Sequence, residues 1–126
     1  MPSIAPAAHP TKKEITMNTT STPLYRVDKF IVPPAAMPAF MARVDHTRRL
    51  LDTQPGCLQN LVLTQTAGPG EFNVVTIVGW ADAHALAQAK AAMQACYAQE
   101  GFDTAAFIAQ HGIRADMAVY APVAAQ

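Results

Sequence analysis

Apolar and polar positions first exchange along the chain with a period of two. Between Tyr25 and Val32, Tyr25, Val27 and Ile31 share one face, while Phe30 and Val32 share the other. That alternation predicts a strand, and Pro33-Pro34 ends it because proline cannot donate to a ladder. Over roughly 35–53 the period lengthens. Met37, Phe40, Met41, Val44 and Leu51 form one apolar helical stripe, with prolines at its start, where missing N–H groups cost little, and Pro55-Gly56 as its stop. Cys57 to Thr66 predicts a second strand with Leu61 and Leu63 on one face, and Ala67-Gly68-Pro69-Gly70 a turn. Glu71 to Trp80 predicts a third strand, antiparallel to the second. Phe72, Val74, Val78 and Trp80 lie on one of its faces and Val75 and Ile77 on the other, so both faces call for cover. Asp82 is placed to cap an alanine-rich helix over roughly 83–99, striped by Leu86, Met93 and Tyr97 and ended by Gly101. Asp103 caps a short helix over about 104–111, and Ala115 to Ala121 predicts the last strand.

The order β-α-β-β-α-(α)-β predicts an α+β, ferredoxin-like domain over 24–123: a four-stranded antiparallel sheet with helices on one face. The apolar second face then needs another partner. A second copy's sheet supplies it, giving a homodimer built as a dimeric α+β barrel with an isologous two-fold contact. Residues 1–23 follow neither period. Four prolines and the run Thr19-Thr20-Ser21-Thr22 predict a disordered head. Within it, Lys12-Lys13-Glu14-Ile15-Thr16 reads back into a purine-rich ribosome-binding sequence and spacer, which makes Met17 the expected initiator. The alternative is a native tail, and the intact mass of protein made from the native gene distinguishes the two.

Composition sharpens the picture in one respect. The chain is 51% apolar and only 14% charged, against roughly 25% charged in an average soluble domain. Part of its surface is therefore expected to be hidden against a partner or to line an apolar cavity. Nine basic and nine acidic residues cancel, leaving no basic footprint for nucleic acid. No apolar run reaches the ~18 residues that cross a bilayer, and no continuous apolar stretch marks a secretory signal. Cys57 and Cys96 form no Cys-x-x-Cys pair and are expected as free thiols in a reducing cytoplasm.

Candidate chemistry is sparse. His9, His46, His84 and His111 show no ligand spacing, so no metal site is expected. Gly68-Pro69-Gly70 precedes no helix and is not a phosphate loop. Trp80, the single tryptophan, is either a core plug or a pocket wall. Arg48 and Lys90 interrupt the two helical stripes, so each snorkels to a rim or enters a polar cavity. An enclosed Lys90 would hold its proton less tightly and suit proton transfer. Arg26 and Asp28 share the face of Phe30, where they form a strand-edge ion pair or enter the same cavity.

Tyr25 through Ala121 resembles the antibiotic biosynthesis monooxygenase family of dimeric α+β barrels. The resemblance is carried by Val32-Pro33-Pro34-Ala35-Ala36-Met37-Pro38-Ala39-Phe40, by Gln54-Pro55-Gly56-Cys57, by Phe72–Trp80 with Ala81-Asp82, and above all by the Trp80 to Leu86 spacing. These motifs specify the fold better than the reaction. The resemblance implies a small cytoplasmic homodimer with a pocket between sheet and helices. For some members it implies oxygenation of quinols or polycyclic phenols by molecular oxygen as co-substrate, without metal or flavin. The protein then contributes a dry pocket, a base and hydrogen bonds. Other relatives degrade haem, act on small signalling metabolites or have no known activity. Haem degraders resemble one another in an Asn on the first strand, the strand-three Trp, and a ligating His on the next helix. Here Trp80 matches, Leu24–Val32 lacks Asn, and the corresponding helix position is Lys90, so haem is not expected. Similarity to the aromatic-polyketide oxygenases implies pocket roles for Asn, Arg, Tyr and Trp, for which Asn73, Arg48, Tyr97 and Trp80 match in type and Trp80 in position.

The expectation is thus a cofactor-independent monooxygenase for a small aromatic quinol. Lys90, Tyr97 or Asp28 would handle the proton, and Trp80, Phe107, Met93, Arg48, Asn73 and Phe40 would bind substrate. The alternative is a small-molecule-binding dimeric barrel without turnover.

Overall fold

The computed structural model describes residues 22–124. Met17 and all of the expected head except Thr22 and Pro23 lie outside the described residues. Four strands, β1 (Leu24–Ile31), β2 (Cys57–Thr64), β3 (Val74–Trp80) and β4 (Arg114–Tyr120), pair antiparallel in the order β2-β3-β1-β4. The helices are α1 (Met37–Asp52), entered through a 3-10 turn at Pro34–Ala36, α2 (Ala83–Glu100) and α3 (Thr104–Gln110). This is the expected ferredoxin-like arrangement. The proline-rich entry explains the 3-10 turn: Ala36 N–H reaches the Pro33 carbonyl at 2.9 Å while the prolines donate nothing. Asp82 and Asp103 cap α2 and α3 by accepting from Ala85 N–H at 2.8 Å and Ala106 N–H at 3.0 Å.

The pairing registers define rows across the sheet. On the face toward the helices, one row reads Val62, Thr76, Asp28, Met117. It is flanked by Thr64, Val74, Phe30, Ala115 on one side and Asn60, Val78, Arg26, Val119 on the other. On the opposite face, the central row Leu61, Ile77, Val27, Ala118 is wholly apolar.

β3 starts at Val74 rather than at Glu71 as expected. The Asn73 carboxamide is the reason. It accepts from Val32 N–H at 2.8 Å and donates to Val32 C=O at 2.9 Å, replacing a backbone partner with a side chain at the ladder's end.

Burial is divided. One cluster joins Phe30, Val32, Ala36, Phe40, Val74 and Ile113, with Phe107 and Ile108 packed on it. Phe30 and Phe40 meet edge to face at 4.9 Å. The second joins Cys57, Val78, Trp80, Ala85 and Ala89, with Leu51 and Leu86 against it. On the strands, the boundary between them falls at Thr76 and Asp28. Two polar side chains in the middle of an apolar face deny the clusters a shared floor. No described helix is long and apolar enough to cross a membrane.

Candidate functional site

Between the two clusters lies a cavity of about 600 Å³, within the range of small-molecule sites. Its floor is the inward sheet face at Asp28 and Thr76. Phe40, Val44 and Thr47 of α1, Ala89, Met93 and Tyr97 of α2, and Phe107 and Ile108 of α3 close over it. Phe30, Phe40 and Phe107 belong to one side and Val78, Trp80 and Ala89 to the other.

The polar groups on that floor are few. Arg26 Nε donates to Asp28 Oδ1 at 2.7 Å, and Arg26 Nη2 lies 3.2 Å from Met117 Sδ on β4. Only 17% of the Asp28 side chain is exposed. Burial raises its carboxyl above the ordinary 3.8, and this outweighs the opposing hydrogen bond and charge of Arg26. The strand-edge ion pair and the cavity position were posed as alternatives, but Asp28 holds both.

At the α1–α2 end, the Tyr97 hydroxyl lies 3.5 Å from Thr47 Oγ1. The Arg43 guanidinium stacks over Phe102 at 3.4 Å and faces Tyr97 at 5.0 Å. Its Nη2 donates to Glu100 at 2.9 Å, and the other carboxylate oxygen of Glu100 meets His46 Nε2 at 2.6 Å. Hydrogen bonds from His46 and Arg43 hold the Glu100 carboxyl below its usual 4.5. This cluster fixes the aromatic group Tyr97, Phe102 and Phe107, whose rings follow one another at 5.3 and 5.5 Å.

Asp28, Phe40, Arg48, Trp80, Lys90, Met93, Tyr97 and Phe107, all singled out from sequence, line the cavity. Trp80 is 2% exposed, so it is core plug and cavity wall at once. Two expectations need correction. Asn73 is not among the lining residues, because both ends of its carboxamide are engaged by Val32. Lys90 reaches the rim but is exposed, so the enclosure that would have made it a ready base is missing. Arg48 also sits at the rim, 3.5 Å from Asp45.

Arg43, Thr47, Asn60, Thr76 and Phe102 line the cavity without having been singled out. Thr76 was open to detection as the one polar residue on the inward face between Val74 and Val78. Arg43 and Thr47 were open to detection as positions three and seven beyond Phe40 on the same stripe. Among the described residues no cluster could hold a metal ion and no histidine lines the cavity.

Solved structures share the architecture. A candidate monooxygenase from Shewanella loihica PV-4 superposes with a TM-score of 0.63 at 18% identity, covering 85% of this chain and 100% of that one. SnoaB, a cofactor-independent oxygenase from Streptomyces nogalater, gives 0.53 at 22% identity over 84% and 96%. The haem-degrader MhuD from Mycobacterium tuberculosis, with two haems bound, gives 0.56 at 21% identity over 82% and 98%. At these identities the likeness is one of fold. No curated protein matches the chain. The sequence profile of the antibiotic biosynthesis monooxygenases matches residues 23–102. That stretch runs from β1 to the end of α2, carries the cavity's floor, Trp80 and Tyr97, and spans well over half of the sequence. The protein is therefore a member of the antibiotic biosynthesis monooxygenase family.

Proposed function

We propose that the chain is a cofactor-independent monooxygenase that oxidises a small aromatic phenol or quinol with molecular oxygen. One observation carries this reading: among the described residues Asp28 is the only carboxylate lining the cavity, and burial makes it hold a proton more tightly than a surface aspartate. Trp80, Phe40, Phe107 and Met93 offer a planar ring an apolar slot above it. Tyr97, with Thr47, offers a hydrogen bond at the other end. Asp28 accepts the phenolic proton, and the resulting phenolate is electron-rich enough to reduce oxygen. Without a cofactor, the substrate itself must supply every electron. A phenol is taken to the quinone level: one oxygen atom enters the ring carbon and the other leaves as water, with the ring's hydrogens making the balance. The fold shared with SnoaB supports this reading.

Oxygen uptake with a panel of quinols and anthrones tests it. Uptake that is lost in Asp28→Asn, with aromatic binding retained, is the expected result. Binding without uptake across the panel would favour the alternative of a non-catalytic binder. A haem titration serves as a second arm, because MhuD shares the fold. The expected result is no Soret shift, and a stoichiometric shift would replace this reading by a haem-dependent one.

We also propose that the protein acts as a homodimer in the reducing cytoplasm, where Cys57 and Cys96 remain thiols. Leu61 and Leu63 are exposed on the outer sheet face beside Ile77 and Val27. A contiguous apolar sheet face of this kind is unusual on a monomer. A second copy's equivalent face complements it row for row under a two-fold axis.

A further inference from the structure

We propose that the substrate carries a carboxylate and that Arg26 is the residue that recognises it. This rests on the cavity being the substrate site, as argued above, and names the substrate's chemistry more closely. Overall the chain has nine basic and nine acidic residues, yet the cavity does not share that balance. Arg26, Arg43, Arg48 and Lys90 line it against the single carboxylate of Asp28. Two of these cations have an acid outside the cavity: Glu100 meets Arg43 Nη2 at 2.9 Å, and Asp45, held more closely by Arg49 at 2.7 Å, lies 3.5 Å from Arg48; neither acid is a lining residue. Lys90 stands at the exposed rim.

Arg26 is different. It rises from the sheet floor, and its neighbours across the strands are Val78 and Val119, which offer no side-chain acceptor. Of its five N–H donors, one bonds a carboxylate oxygen, through Nε at 2.7 Å. The Nη2 end meets only the Met117 thioether at 3.2 Å, a weak acceptor. Asp28 thus fixes the guanidinium by its Nε side and leaves the terminal nitrogens of this cavity-lining, 37% exposed side chain without a carboxylate among the described residues. A planar fork held in this way matches the two oxygens of a carboxylate. An aromatic acid would lay its ring between Phe40 and Trp80 and bring its carboxylate to Arg26. Its phenolic oxygen would remain near Asp28.

The test is binding of 1-hydroxy-2-naphthoate and of 1-naphthol, the same ring without the carboxylate, read by quenching of Trp80 fluorescence under nitrogen. Wild-type protein is expected to bind the acid at least about 10-fold more tightly, which is a fraction of what a charge-assisted bidentate contact can give. Arg26→Gln should bring the two ligands within about 2-fold of each other. Arg26→Lys, which keeps the charge without the fork, should fall between them and guards against a Gln variant that fails to fold. Arg48→Gln and Lys90→Gln should retain the preference. Equal binding by wild type, a preference that survives Arg26→Gln, or one that disappears in Lys90→Gln would each overturn the assignment. Binding under nitrogen is independent of turnover. Absent oxygen uptake would therefore count against the oxygenase reading alone, and oxygen uptake with no carboxylate preference would count against Arg26 alone.

Discussion

Asp28→Asn should weaken the enzyme and strengthen the fold. The carboxylate lies on the cavity floor with 17% of its side chain exposed, and burial raises its pKa from 3.8 despite Arg26 at 2.7 Å. A carboxyl with a raised folded-state pKa contributes stability in its protonated form, fully present below 3.8 and lost as pH rises through the higher folded value. At pH 7 the ionised group therefore opposes folding, by about 1.4 kcal/mol for each unit of elevation. Asparagine removes that cost and still accepts from Arg26 Nε, but it leaves the guanidinium without its countercharge. The variant should therefore be the more stable of the two at pH 7, with the higher Tm. The gap should close as pH falls below 3.8, where the carboxyl is protonated in the folded and the unfolded chain alike. Loss of the proton acceptor should at the same time lower kcat by about 10²–10⁴-fold on any phenol the wild type oxidises. Wild-type kcat/KM should rise with pH through a carboxyl ionisation above 3.8 and then level off. Thermal melts at pH 4 and pH 7 together with initial oxygen-uptake rates measure both effects. A variant that melts lower at pH 7 would mean that Arg26 more than compensates for burial. A variant within about threefold of wild-type kcat would remove Asp28 from proton transfer.

Three further outcomes follow from the same geometry. Asn73→Ala should cost about 1–3 kcal/mol in denaturant unfolding, since it strips both partners from the Val32 backbone, yet leave 1-naphthol binding unchanged; altered binding would return Asn73 to the cavity. Gly56 has φ +83° and a Cβ there would fall 2.6 Å from Ala85 Cβ, so Gly56→Ala should destabilise by about 2–4 kcal/mol from backbone strain and overpacking combined, and a Tm within 2 °C of wild type would contradict that packing. Ile77→Glu, in the middle of the outer apolar row, should convert a dimer to a folded monomer in sedimentation velocity; an unchanged mass would refute the sheet-to-sheet contact.

Sequence periodicity located every strand and α-helix, though not the 3-10 turn, because each has a local signature. Trp80 ends a strand and precedes a capping Asp82, and Gly101 and Asp103 punctuate the helices. The cavity walls were legible for the same reason, since Phe40, Met93 and Tyr97 belong to stripes. What escaped depended on contacts between distant parts of the chain. Asn73 looks like a pocket amide until it is seen bonded to Val32, 41 residues away. Lys90 sits on a stripe, but a stripe does not reveal how far a four-carbon stem carries its ammonium. Arg43 and Phe102 meet only because Gly101 ends α2 in a left-handed turn and brings the chain back, with Phe102 N–H on Tyr97 C=O at 2.9 Å.

The divided interior makes the substrate a structural component as well as a reactant. A ligand that spans from Phe40 to Trp80 joins two apolar groups that otherwise do not touch, and it binds only the native chain. At 100 times its dissociation constant it would add about 2.7 kcal/mol to the unfolding free energy, a sizeable share of the 5–15 kcal/mol typical of a domain. A ligand held there would also lower the fraction of molecules that are unfolded and so open to proteolysis.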